Sequence, residues 1–247
     1  MTTETAAIDF SRHISVLPPR TGRDPKSFHR ALLERRATAH FSATPVPVED
    51  ITSILAAGGQ APSGYNLQPW RFLVLRNPKR RQALRKAAFD QPKITEAPVV
   101  IVAFAPHAGW EETAGAVFAE GAARGAIPPE NPAGQARDAV EFVRKQNLAA
   151  WLNRHVMIAF THMMLAAEVL GWDTAPMEGF DPEQVRAQLG FPADTEIVAL
   201  LAIGQMAGKD RPYPGRLSLS QIAFAEDLAH HWPDTANGNS SGENQNG

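Results

Sequence analysis

The chain has 247 residues and carries 24 Lys and Arg against 26 Asp and Glu, a formal charge of -2. That balance excludes a global basic field for nucleic acid, and 44% apolar residues suit a globular core. With no cysteine, disulfide scaffolds, cysteine-ligated metals and thiol nucleophiles are excluded, so any chemistry rests on other groups. The first residues lack a basic segment followed by an apolar one, and the expected compartment is the cytoplasm.

Residues 1–24, with Pro18, Pro19 and Gly22 and no periodicity, read as an extended arm ahead of one domain over 25–232. Phe28, Leu32 and Leu33 share a helical face that stops at Arg35 and Arg36. A second helix starts after Pro47, with Glu49 and Asp50 in its first turn, and stops at Gly58 and Gly59. A polar loop, Gln60 to Pro69, leads to a strand over Trp70 to Leu75. Pro78 to Phe89 follows as a helix capped by Asn77, and Val99 to Ala105 as an apolar strand. A short helix near Thr113 to Ala123 and a Pro/Gly-rich link, Gly125 to Gly134, precede a long helical region from Ala136 to Leu170. Within it, Asn153, Arg154, His155, His162 and Glu168 argue against a membrane span, so a helix apolar nearly all round belongs in a core or an interface. A strand at Thr174 to Met177, a helix capped by Asp181 with Pro182 first, and a strand at Glu196 to Ile203 complete an α+β pattern. Residues 233–247 contain no aliphatic side chain larger than alanine and are expected to be disordered.

Among eight histidines only His155 and His162 share a helix, seven residues apart and without a carboxylate one turn away, so no metal site is expected. Serine-elbow, phosphate-loop and dinucleotide glycine motifs are missing. Three islands remain. Arg35, Arg36, Ala37 and Thr38 offer two guanidinium groups and a hydroxyl to a phosphate, or simply two cations to the negative end of a helix. The run Pro62-Ser63-Gly64-Tyr65-Asn66-Leu67-Gln68-Pro69-Trp70 gathers more polar groups in a rigid loop than a turn requires. Pro176-Met177-Glu178-Gly179-Phe180-Asp181 ends a strand before a helix, where backbone N–H groups are free for a ligand.

In order and spacing these islands, with Phe41 after the arginine pair and Gly204 followed by a basic segment to Arg216 and Leu217, resemble the nitroreductase family of FMN-dependent NAD(P)H oxidoreductases. The resemblance implies a three-layer α/β/α fold with a central, mostly antiparallel sheet, and a homodimer joined through the long helix. It implies a phosphate site at Arg35, Arg36 and Arg216, and a loop, Pro62 to Gln68, that comes from the other subunit and sets Ser63, Gly64 and Asn66 along the flavin. The backbone of Glu178 and Gly179 would lie beside flavin N5, with Pro176 and Met177 also among the cofactor-binding residues, and Gln91 and Lys93 at the pyrimidine edge. Ala37 and Pro214 stand where many relatives have serine and lysine, and Lys209 or Arg211 would supply the missing charge. A cover from Trp110 to Val143 would bring Phe118 and Phe142 to the substrate entrance, the alternative for each being a place in the core. The implied chemistry is ping-pong: NAD(P)H reduces the flavin and leaves, then a nitroaromatic or quinone takes the same site. The alternatives are another branch of the fold, such as a flavin reductase, reductive dehalogenase or ring dehydrogenase, or a non-catalytic FMN-binding protein. Nucleic acid and membrane partners are not expected.

Overall fold

The computed structural model describes residues 26–209 and 211–233. The arm over 1–24 and the tail from residue 234 onward lie outside the described residues. The chain divides into two compact units, one ending at Arg211 and one beginning at Pro212.

In the first unit, a four-stranded sheet has the order β1-β2-β4-β3, with β1 at Arg71–Leu75, β2 at Val99–Pro106, β3 at Asp173–Met177 and β4 at Thr195–Gly204. All three pairings are antiparallel. Period-two alternation splits β2 between two cores. Val99, Ile101, Ala103 and Ala105 pack with Ile54 of α2 (Val48–Gly59) and with Trp151, Val156 and Phe160 of α7 (Leu148–Val169). Val100 and Val102 pack on the other side with Leu84 of α3 (Pro78–Ala87) and Val185 of α8 (Pro182–Leu189). The central strands are covered on both faces, which explains why β2 and β4 read as continuous apolar runs. The resulting helix–sheet–helix layering agrees with the expected α+β architecture.

Local chemistry sets the boundaries. Asn77 Oδ1 accepts from Lys79 N at 2.9 Å and Asp181 Oδ1 from Glu183 N at 3.0 Å, each with proline at the first helical position. The helical region expected over Ala136 to Leu170 is two helices, α6 at Pro132–Arg144 and α7. Asn147 is extended (φ -69, ψ 101) and its side chain accepts from Ala150 N at 3.0 Å, so it restarts the helix as an N-cap. Nor is α7 apolar all round in its packing. Trp151, Leu152, Val156, Ala159, Phe160, Met163 and Ala167 form one buried stripe, while Asn153, Arg154 and Thr161 are exposed. On α1 (Phe28–Glu34) the buried residue is Ala31, whereas Phe28, Leu32 and Leu33 are 60, 50 and 60% exposed. Among the described residues, the apolar side chains that define that helix are therefore left uncovered. Among the described residues, no helix is long and apolar enough to cross a membrane.

Candidate functional site

The predicted residues of the first unit gather into two groups at opposite edges of the sheet. The first surrounds β3. Thr38 N donates to Thr174 O at 3.0 Å, which lays the segment after α1 along this edge strand. Residues 40–42 pair with residues 205–207 through Ser42 N to Gln205 O and Ala207 N to His40 O. Glu96, at the end of α4 (Lys93–Glu96), accepts from Phe41 N at 3.3 Å and so ties Lys93's helix to the same segment.

Within this group the two arginines part company. Arg36 Nη1 donates to Leu33 O and Arg35 O, both at 2.8 Å, and so satisfies carbonyls at the C-terminal end of α1. Arg35 Nη1 is buried without a hydrogen-bond partner. A desolvated, unpaired guanidinium nitrogen is costly, and an anion is the partner that would relieve it. Lys93 is half-buried, and burial first and the Arg211 charge second hold its ammonium below the usual lysine range. An anion at this edge would relieve that crowding as well. Ala37, Lys209 and Arg211 are exposed. The donor set therefore fits an anionic ligand such as the phosphate of FMN.

Gln91 and Gly179 meet. Gln91 Nε2 donates to Gly179 O at 2.7 Å, and a Cβ on Gly179 would stand 3.5 Å from that nitrogen. The turn that presents Gln91 is held open by left-handed Phe89 (φ 51) and Asp90 (φ 54). Arg85 forks onto Asp90, with Nε–Oδ1 at 2.7 Å and Nη2–Oδ2 at 3.1 Å. Met177 is buried, Pro176 partly so, and Glu178 and Gly179 are exposed at the strand's end.

The second group precedes β1. In the loop, Tyr65 (φ 55), Asn66 (φ 56) and Gln68 (φ 48) are all left-handed, an arrangement that costs non-glycine residues energy and concentrates at functional sites. Two of the three polar side chains expected to face a ligand are used inside the loop. Ser63 Oγ accepts from Gln68 N at 2.9 Å, and Gln68 Nε2 donates to Asn66 O at 3.1 Å. Asn66 instead lines a cavity of about 650 Å³ together with Tyr65, Phe118, Ile127, Asp138 and Phe142. Phe142 meets Tyr65 edge-on at 5.7 Å. Phe118 and Phe142 thus line the same cavity, and Phe118, 8% exposed, also belongs to the core.

Register relates the two groups. Leu73, Val102, Leu200 and Met177 stand in one row across the sheet, so the loop entering β1 and the Glu178–Gly179 end of β3 share an end of the sheet. They occupy opposite edges, three inter-strand spacings or roughly 14 Å apart. Arg216 belongs to the second unit, where Nη1 donates to Gly215 O at 2.6 Å and the guanidinium lies 5.6 Å from the Tyr213 ring. The left-handed backbone of Tyr65, which brings its ring into the cavity wall, has no local signature, because tyrosine rarely adopts it.

A family pattern described as Nitroreductase family matches residues 32–205. The NADH dehydrogenase of Thermus thermophilus is 37% identical over 203 residues, 78% of this chain and 93% of that protein. Protein DrgA of Synechocystis is 29% identical over 201 residues, 78% of this chain and 92% of its own length. An Exiguobacterium sibiricum protein solved in complex with FMN superposes with a TM-score of 0.75 at 24% identity, covering 83% of this chain and 100% of that one, a likeness of fold. With the family pattern spanning most of the described residues and a 37%-identical relative aligned over nearly its whole length, the chain belongs to the nitroreductase family.

Proposed function

We propose that the protein is an FMN-dependent NAD(P)H oxidoreductase that passes electrons to nitroaromatic, quinone or related acceptors. The observation that carries the reading is the buried, unpaired Nη1 of Arg35. Arg35, together with Lys93 and Arg211 of the same unit, would hold the phosphate and the ring's electron-rich edge. When bound, FMN supplies the hydride and electron transfer, which explains why no acid–base pair is needed.

The chain's own residues bind and orient. Gln91, fixed by Gly179 O, keeps one amide edge in place beside the Glu178–Gly179 backbone. Lys93, already electrostatically strained, favours negative charge in its surroundings. The mainly apolar cavity over Phe118 and Phe142 offers a flat aromatic molecule a surface to pack on. Donor and acceptor would use that cavity in turn, in ping-pong order. Because the loop and the cationic group occupy opposite edges of one sheet, a complete site needs two copies, the loop of each facing the cationic edge of the other. The uncovered Phe28, Leu32 and Leu33 provide apolar surface for such a homodimer.

The test is the visible spectrum of the purified protein before and after NADH or NADPH, with the mass in solution measured alongside. A yellow dimer bleached by the donor and restored by a quinone is expected. A colourless protein whose melting temperature does not respond to added FMN would overturn the reading.

A further inference from the structure

We propose that His155 is the positioning residue that holds the Pro62–Gln68 loop in its strained form, with the Nε2 lone pair as the anchor. The inference rests on the reading of this loop as the flavin-facing edge. His155 stands on α7, half-buried, 91 residues from its partner in the loop. Gly64 N donates to His155 Nε2 at 2.9 Å, and His155 Nδ1 lies 2.7 Å from Trp151 O.

Both partners dictate the same tautomer. A carbonyl oxygen only accepts, so Nδ1 carries the hydrogen; a backbone N–H only donates, so Nε2 presents its lone pair. The ring is therefore neutral and fixed in orientation. It stacks 4.2 Å from the Trp151 ring at 39°. Gly64 faces this pair: a Cβ there would make ordinary van der Waals contact with both, 3.4 Å from His155 Nε2 and 3.5 Å from Trp151.

The other bonds of the loop tip are internal. Asn66 N donates to Ser63 O, Leu67 N to Gly64 O, and Gln68 N to Ser63 Oγ. Among the described residues, the His155 contact is the hydrogen bond that ties residues 62–66 to another element. Left-handed backbone follows directly behind it at Tyr65 and Asn66, and again at Gln68 after right-handed Leu67. Such backbone persists only where the surroundings over-determine it. His155 does not line the cavity, whereas Tyr65 and Asn66 do, so it acts on the cavity through Gly64.

The experiment compares the wild type with His155→Gln and His155→Phe. Glutamine offers an amide oxygen near the place of Nε2; phenylalanine keeps the ring and its stacking and removes the acceptor. His155→Phe should hold FMN about tenfold less tightly by fluorescence titration and be cut faster by protease at the loop, because Gly64 N–H loses its partner. His155→Gln should recover most of both. In the wild type, nitrogen NMR should place the hydrogen of His155 on Nδ1. Equal loop cleavage in all three proteins, failure of Gln to outperform Phe, or a hydrogen on Nε2 would overturn the proposal. A wild type that takes up no FMN, yet shows the Nδ1–H tautomer and the cleavage pattern, would instead sink the cofactor reading and leave the anchor standing.

Discussion

Replacing Arg35 by methionine separates a ligand cation from a structural one. The guanidinium's Nη1 is buried without a partner, so the ligand-free fold carries an unsatisfied donor worth roughly 1–3 kcal/mol of penalty. Methionine keeps much of the stem and removes that donor, so the apo-protein should melt no lower than the wild type. In the complex the sign reverses. A charge-assisted hydrogen bond to phosphate contributes about 1.5–3 kcal/mol, so FMN affinity should fall roughly 10- to 150-fold. At a free FMN concentration of about 100 times the wild-type Kd, ligand stabilisation should fall from ~2.7 to ~1.4 kcal/mol for a tenfold loss. Arg36→Met is the control. Its Nη1 is bonded to Leu33 O and Arg35 O, so it should lose a few tenths to about 1 kcal/mol of stability with a smaller effect on FMN. Differential scanning fluorimetry with and without FMN, together with flavin fluorescence titration, reads both quantities. Unchanged FMN affinity in Arg35→Met, or an apo-protein destabilised as much as the complex, would refute the reasoning.

The two phenylalanines of the cavity should behave differently. Phe118→Ala, at 8% exposure inside the core cluster, should cost about 3 kcal/mol in urea unfolding. Phe142→Ala, 52% exposed and touching Tyr65, should cost about 1 kcal/mol or less and chiefly raise the KM for aromatic acceptors; equal stability losses would contradict the assignment. Glu168 is a pH probe. Burial raises its carboxyl above the ordinary range, against the lowering effects of the Thr174 hydroxyl at 2.8 Å and of Lys26 at 3.1 Å. Between the unfolded value, about 4.3, and the raised folded one, the folded state binds more protons, so stability falls as pH rises through that window. Glu168→Gln keeps a partner for Thr174 and should flatten this slope in denaturant titrations; identical slopes would remove Glu168 as its source.

Much of the fold was legible because its signals are short-range. Asn77 with Pro78 and Asp181 with Pro182 announce their helices within three residues, since a cap bonds N–H groups two or three positions on. The apolar runs of β2 and β4 announce strands covered on both faces. The break between α6 and α7 was legible in the same way but easily hidden, because Asn147 caps inside a run of good helix formers. The order of the three islands also carried the family.

Other features depended on contacts that no local pattern encodes. Arg35 and Arg36 are adjacent and chemically identical, yet one caps a helix and the other is left with an unpaired nitrogen, because the helix end and the β3 edge point them differently. Ser63 and Gln68 look like ligand groups and instead bond within their own loop. His155 looked like one more histidine on a buried helix until the fold set Gly64 against it. Caps and periodicity determined the elements, and the order and spacing of the motifs carried the family. The sheet order placed the loop and the cationic group on opposite edges, because strand neighbours and register are chosen by packing across the whole chain.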